Sequence, residues 1–300
     1  MGRASVASMR FGFVMPFGDA ADIADWAVLA ESAGWDAVFT WEAVFGADAW
    51  VSLTAAAMVT ERVRLGTMLT PVPRVRPWDL ASRVGTLDRL SGGRVVLGAG
   101  LGALHEGWTA FEADEGRAAR VARLDEGLAV YAGLLGGQPY SHEGRYYPVR
   151  PTDFMLPDPP VQRPHPPVWL VGAHKVGAAR QPSLERAARW QGWLPQVVDG
   201  DFRGSPRTPE ELAALTSTVR TMREDAGLPW DGFDICFEGE MHGDDPLGRD
   251  VPAWADAGAT WWVEGAWGLS RDPAGRAELE RRIAAGPAPS LTSSRVDVVP

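Results

Sequence analysis

Along nearly the whole chain, short apolar or alternating runs give way to segments with apolar residues every three to four positions, and short turns separate them. Regular alternation of this kind is the mark of βα units. Residues 10–15 predict a first strand. Asp19 and Asp22 predict the opening of an amphipathic helix whose apolar face is Ile23, Trp26, Ala27 and Ala30, stopped by Gly34. A second strand is predicted at 35–40, a helix at 50–60, and a third strand at 63–69, out of which Pro71 and Pro73 force the chain. A helix at 77–90 then leads through a Ser-Gly-Gly-Arg turn into a fourth strand at 95–99.

Gly98, Gly100 and Gly102 end that strand, and a helix at 116–135 completes the fourth unit. Residues 136–167 change character: eight of the 24 prolines fall between Pro139 and Pro166, and HEGRYYPV at 142–149 has the look of a hairpin. Regularity resumes with strands at 168–171, 192–194, 233–237 and 260–263, alternating with helices at 183–190, 209–226, 251–257 and 273–285. Eight units predict a single (β/α)8 TIM barrel with its core at 10–286, a Pro-rich excursion between strands four and five, and an irregular tail at 287–300. An open doubly wound sheet is the competing topology. In the barrel, chemistry belongs to the loops after the strands.

Composition narrows the function. A net charge of −10 argues against nucleic-acid binding, and the absence of a long apolar run or an N-terminal signal pattern favours a cytoplasmic protein without a membrane span. One cysteine, Cys236, excludes an internal disulfide and multi-cysteine zinc sites, and its place inside a strand reads as an inert buried thiol. Fourteen tryptophans suit a large core, with some left to line a site for a flat ligand.

Gly98-x-Gly100-x-x-Ala103 has the spacing of a dinucleotide-binding turn, but a Rossmann site needs a second strand soon after, and 117–135 reads as helix. These glycines serve either close backbone approach to an anion or plain packing. At the end of strand five, Gly172, Ala173, His174 and Lys175, the last the only lysine, form a candidate phosphate seat at a helix start. A solvated loop cation is the alternative. Glu42, closing strand two, would face the barrel mouth, where partial burial raises a carboxyl toward proton-transfer range. An ion pair with a nearby Arg is its alternative. Glu238, Glu240 and Glu264 end strands seven and eight but follow no metal spacing, and His105, His142, His165 and His242 are scattered in loops.

The segments MRFGFVMP, AESAGWDAVFTWE, VRLGTMLTPVPRVRPWDLASRVGTLDRLSGGRVVLGAGLG, HEGRYYPV, PPVQRPHPPVWLVG and AARWQGWLP together resemble the bacterial-luciferase-like flavin-dependent oxidoreductases over roughly residues 10–285. The resemblance implies a reduced flavin, FMN or the deazaflavin F420, at the C-terminal mouth. It implies a phosphate held between Leu101 and Gly102 on one side and Gly172, Ala173, His174 and Lys175 on the other. It also implies a bulge under the ring near Leu69 and Thr70, often with a non-proline cis peptide.

Where many relatives carry an acidic residue followed by His after strand two, this chain reads Glu42-Ala43, and the Glu that F420-dependent sugar-phosphate dehydrogenases carry after strand four falls near Ala103. With both expected acid-base side chains replaced by Ala, the resemblance implies an FMN-dependent monooxygenase, which asks the protein mainly to exclude water and position substrate. Its expected partners are O2, a small, largely apolar substrate and a separate flavin reductase. Glu42 is the expected catalytic residue, and Phe17, Trp41, Trp50 and Trp108 the expected substrate wall. F420-dependent hydride transfer and non-catalytic flavin binding are the alternatives, and a homodimer is the expected assembly.

Overall fold

Strands form where β-branched and aromatic residues concentrate: β1 (Arg10–Val14), β2 (Ala37–Thr40), β3 (Arg64–Pro71), β4 (Val95–Gly100), β5 (Val168–Lys175), β6 (Gly192–Asp199), β7 (Phe202–Gly204), β8 (Asp234–Gly239) and β9 (Trp261–Gly265). The helices are α1 (Ala20–Ser32), α2 (Ala49–Val59), α3 (Pro77–Leu90), α4 (Arg117–Gly136), α5 (Pro182–Ala187), α6 (Pro209–Asp225), α7 (Val251–Asp256) and α8 (Pro273–Ala285). This computed structural model describes residues 9–104, 107–242 and 250–287. His105 and residues 288–300 of the expected tail lie outside the described residues. No helix among the described residues is long and apolar enough to cross a membrane.

Eight strands run parallel and close as β1-β2-β3-β4-β5-β6-β8-β9, with β9 paired back onto β1, which is the predicted (β/α)8 TIM barrel. The ninth, β7, lies outside the closed barrel and runs antiparallel to β6. Phe39, Met68, Trp169, Leu194, Cys236 and Trp261 are among the side chains that fill the barrel, while the larger shell between strands and helices buries Phe11, Trp35, Trp193, Trp254 and Trp262. At the N-terminal end Asp234 accepts hydrogen bonds from the indoles of Trp169 and Trp261 at 3.2 and 3.0 Å and from Arg10 at 2.6 Å. Side-chain packing at that closed end leaves the opposite mouth for ligands.

Several strands outrun their predicted ends, and two of them do so by a full turn's worth of residues or more. β5 continues past Val171 to Lys175 and β6 past Leu194 to Asp199, because they pair continuously from Trp169↔Gly192 to Lys175↔Val198. Gly172 and the candidate seat at 172–175 suggested a turn after Val171, and the cross-strand ladder overrides it. The helix predicted at 183–190 is correspondingly shorter, Pro182–Ala187. The excursion before β5 holds one antiparallel bridge, His142↔Val149, where the hairpin was expected. It is anchored to α3 by Gln162, whose backbone and side-chain N–H groups donate to Asp88 at 3.0 and 2.8 Å. His165 is buried between Tyr131 and Trp190.

Candidate functional site

The third strand carries an irregularity in the expected place. Its register against β4 shifts between Thr67 and Thr70, and a non-proline cis peptide joins Met68 to Leu69. The same irregularity explains the glycine spacing in β4: a Cβ at Gly98 would overlap the carbonyl oxygen of Thr67, and one at Gly100 would sit 2.9 Å from Leu69. These two glycines therefore admit the bulged neighbour. Gly102 follows with φ +76, where a Cβ would meet Pro71 at 2.7 Å.

Above the bulge lies a cavity of about 1080 Å³ at the C-terminal mouth. Its inner wall is apolar, with Met68, Leu69, Val171, Leu194 and Cys236, and its outer wall carries Lys175, Arg117, Arg180, Arg186 and Arg203. Trp41, Glu42, Leu69, Leu101, Gly102, Ala173 and Lys175 are brought together here as the sequence anticipates. The alternation of β5 decides which of its residues take part. Val171, Ala173 and Lys175 line the cavity, whereas a Cβ at Gly172 would strike the Trp193 indole in the helix layer, and His174 lies outside the lining. Gly172 instead accepts the Trp193 N–H at 2.8 Å.

The remaining expected residues sit one layer back. Thr70 is buried, with its hydroxyl donating to Thr67 Oγ1 at 2.9 Å. Trp50 is buried at the start of α2 and donates to Glu42 Oε1 at 2.8 Å. Trp108 is buried against Gly102, with the guanidiniums of Arg74 and Arg120 5.4 and 5.8 Å from its ring. Phe17 lines a second, smaller cavity beside the first.

Two carboxyl groups reach the main cavity. Burial pushes Glu42 above the ordinary carboxylate range, against the opposing effect of the neighbouring Thr70 hydroxyl, the Trp50 indole and the distant charge of Arg83. Its Oε2 is buried without a hydrogen-bond partner. Burial also raises Glu238, with the Trp267 N–H opposing and the charge of Glu240 reinforcing the rise. Trp267 donates directly to Glu238 Oε1. Gly265 makes that pair possible, since a Cβ there would lie 2.8 Å from Glu238 Oε1 and 3.0 Å from the Trp267 nitrogen. Glu240 instead pairs with Arg282 at 3.3 Å, and Glu264 accepts N–H groups from Met241, His242 and Trp262. No group of His, Cys, Asp and Glu among the described residues is arranged to hold a metal ion.

Sequence reasoning missed the arginines of the outer wall, because three of them lie in or beside elements whose ends it misplaced. Arg180 precedes the short α5, Arg186 lies in its last turn, and Arg203 lies on the unpredicted β7. Arg186 is paired with Asp125, and Arg180 lies 3.6 Å from Glu185, whereas Lys175 and Arg117 have no acidic partner among the described residues. Gln181 fixes the loop from β5 to α5, accepting from Lys175 N and donating to Lys175 O, both at 2.9 Å. A flat apolar group with an anionic tail fits this arrangement: floor for the ring, cations for the tail.

The luciferase-like monooxygenase family profile matches residues 9–286. An F420-dependent glucose-6-phosphate dehydrogenase of Beutenbergia cavernae is 30% identical over 288 residues, covering 84% of this chain and 80% of that protein. Monooxygenase RslO1 from Streptomyces bottropensis superposes with a TM-score of 0.63 at 28% identity, over 77% of this chain and 71% of that one. An F420-dependent secondary alcohol dehydrogenase shares the fold, with a TM-score of 0.72 at 15% identity over 93% of this chain and 99% of that one. The barrel, the bulged third strand and the match across the described core agree: the chain belongs to the luciferase-like monooxygenase family of oxidoreductases.

Proposed function

We propose that this protein is an F420-dependent oxidoreductase that transfers a hydride to or from a small organic substrate at the barrel mouth. The observation that carries this reading is the cationic outer wall. A chain of net charge −10 gathers Lys175, Arg117, Arg180, Arg186 and Arg203 around one cavity. FMN ends in one phosphate, whereas F420 continues through a phosphodiester into a carboxylate-bearing tail, which matches an extended cationic wall better than a single seat. When bound, F420 supplies a hydride-exchanging carbon. The protein's own residues do the rest. Leu69, Val171 and Leu194 exclude water from the floor, and Lys175 and Arg117 hold the anionic tail. Glu42 and Glu238, both raised by burial, hold or release a proton at a carboxyl oxygen facing the substrate space. The two carboxyls answer the need left by Ala43 and Ala103.

A second reading, FMN with O2 in a monooxygenase fed by a separate flavin reductase, draws support from the apolar inner wall and from the likeness to RslO1. Titration of the purified protein with F420 and with FMN, followed by cofactor fluorescence, separates the two. Tighter F420 binding is expected, and FMN binding with negligible F420 affinity would reverse the assignment. The homodimer belongs to the same reading and is checked by sedimentation equilibrium.

A further inference from the structure

Next to the main cavity, and sharing Trp41 with it as a common wall, is a chamber of about 360 Å³ between the C-terminal ends of β1 and β2 and helices α1 and α2. Its lining is mixed, with Met15, Phe17 and Ile23 supplying apolar surface and Ser52 and Arg271 polar groups, and Ala43, Ala47 and Ala49 keep it open by their small size. Phe45 and Phe111, both exposed and with ring centroids 6.1 Å apart, belong to the same lining. Thr40 also lines it, is only 5% exposed, and has a buried hydroxyl with no hydrogen-bond partner. An unpaired buried hydroxyl costs free energy unless a bound group pairs with it. Trp41 is tethered at the partition by its N–H to Pro16 O at 2.9 Å and stands edge-on to Trp267, ring centroids 6.2 Å apart.

We propose that this chamber is a substrate subsite that takes a non-reacting aromatic group bearing one polar atom, with Trp41 as the partition from the reacting space. The proposal rests on the reading of the main cavity as an oxidoreductase site. An apolar engineered cavity of roughly 150 Å³ holds benzene, so the volume here suits a bicyclic arene. The polar atom of that group pairs with Thr40, and the remainder of the substrate passes Trp41 toward Glu42 and Glu238.

The test uses the full chain with 2-naphthol as probe, followed by NMR of the Ile and Met methyl groups, first without cofactor and then with F420 or FMN added. Saturable binding with intermolecular NOEs to Ile23 and Met15, retained when cofactor is present, is the expected result. Ala49→Phe should weaken the probe at least about tenfold by filling the chamber. Thr40→Val should weaken 2-naphthol roughly three- to tenfold while leaving naphthalene unchanged, as loss of one neutral hydrogen bond predicts. If Ala49→Phe does not fold, the NOEs and Thr40→Val decide. NOEs confined to Met68 of the main cavity, displacement by the cofactor, or absence of saturable binding overturns the proposal. Equal responses of 2-naphthol and naphthalene to Thr40→Val overturn the polar contact. If neither F420 nor FMN binds while the Ile23 and Met15 NOEs persist, the cofactor reading fails and the chamber stands.

Discussion

Trp50 donates its indole N–H to Glu42 Oε1 at 2.8 Å, so the carboxyl that closes β2 is held by the first turn of the helix that follows it. No cation among the described residues lies within ion-pair distance of Glu42. The ion-pair alternative therefore has no partner here, and the charge of Arg83 acts only at a distance.

Glu42→Gln should keep the fold, because the amide oxygen can still accept from Trp50. Burial raises the Glu42 pKa above its ordinary 4.5. Raised in the folded state, it contributes stability that is complete at low pH and declines as pH rises through the folded pKa. Removing the ionisable group removes that decline, so thermal melts should show the variant gaining on the parent as pH rises above the ordinary carboxylate value. Turnover should fall by about 10²-fold if the carboxyl moves a proton. Unchanged turnover with altered melting would leave Glu42 a structural residue.

Lys175→Ala and Arg117→Ala should each weaken the anionic cofactor, and their loss of affinity should shrink as salt rises. One charge-assisted contact corresponds to about 1.5 to 3 kcal/mol, or roughly 10- to 150-fold in dissociation constant. Gly102→Asp adds a carboxylate at a backbone position with φ +76, and should be worse for both binding and stability. Fluorescence titrations at two salt concentrations check all three. Equal affinities for parent and both cation variants would move the tail away from this wall.

The barrel was legible because each βα unit announces itself locally: alternating periods, Asp19 capping α1, Gly34 ending its turn. Longer-range pairing was not. The turn residues around Gly172 gave no sign that β5 and β6 would pair as far as Lys175 and Val198, or that β7 would add Arg203 to the rim. The glycines of β4 were visible as a motif, yet their purpose, admitting the bulge at Thr67 to Thr70, depends on a neighbouring strand. Glu238 was noted only as a strand-end carboxylate. Its partnership with Trp267, 29 residues away, arises from the adjacency of β8 and β9.

Glu264 is fully buried, and burial pushes its carboxyl up to about 7, opposed by the N–H groups of Met241, Trp262 and His242 and by Arg282. The folded pKa exceeds the ordinary value, so the contribution to stability is complete below about pH 4.5 and is lost as pH rises toward 7. The whole window is worth roughly 3 kcal/mol at about 1.4 kcal/mol per pKa unit. Chemical denaturation at several pH values should therefore show a decline between pH 5 and 8 that Glu264→Gln flattens. A parallel decline in both proteins would assign the pH dependence to other groups.

Glu238 faces the substrate space with Trp267 as its one side-chain donor among the described residues, and Gly265 leaves room for that pair. A carboxyl raised by burial is protonated over more of the neutral range than a solvated one, which suits donation of a proton to a substrate oxygen as hydride reaches the adjacent carbon. The rate of such a reduction should fall as pH rises through the Glu238 pKa. Glu238→Gln keeps the shape and should leave cofactor affinity within about twofold, but lower turnover by about 10²-fold and erase that limb of the pH profile. Trp267→Phe acts differently. It removes the N–H that favours the ionised form, so the pKa should rise further and the limb should move to higher pH without disappearing. A purely structural role for the pair predicts lower melting temperatures in both variants with the pH profile unmoved. Rate profiles of the parent and the two variants across pH 5 to 9 distinguish these outcomes, and an unshifted limb in Trp267→Phe would withdraw Glu238 from the chemistry.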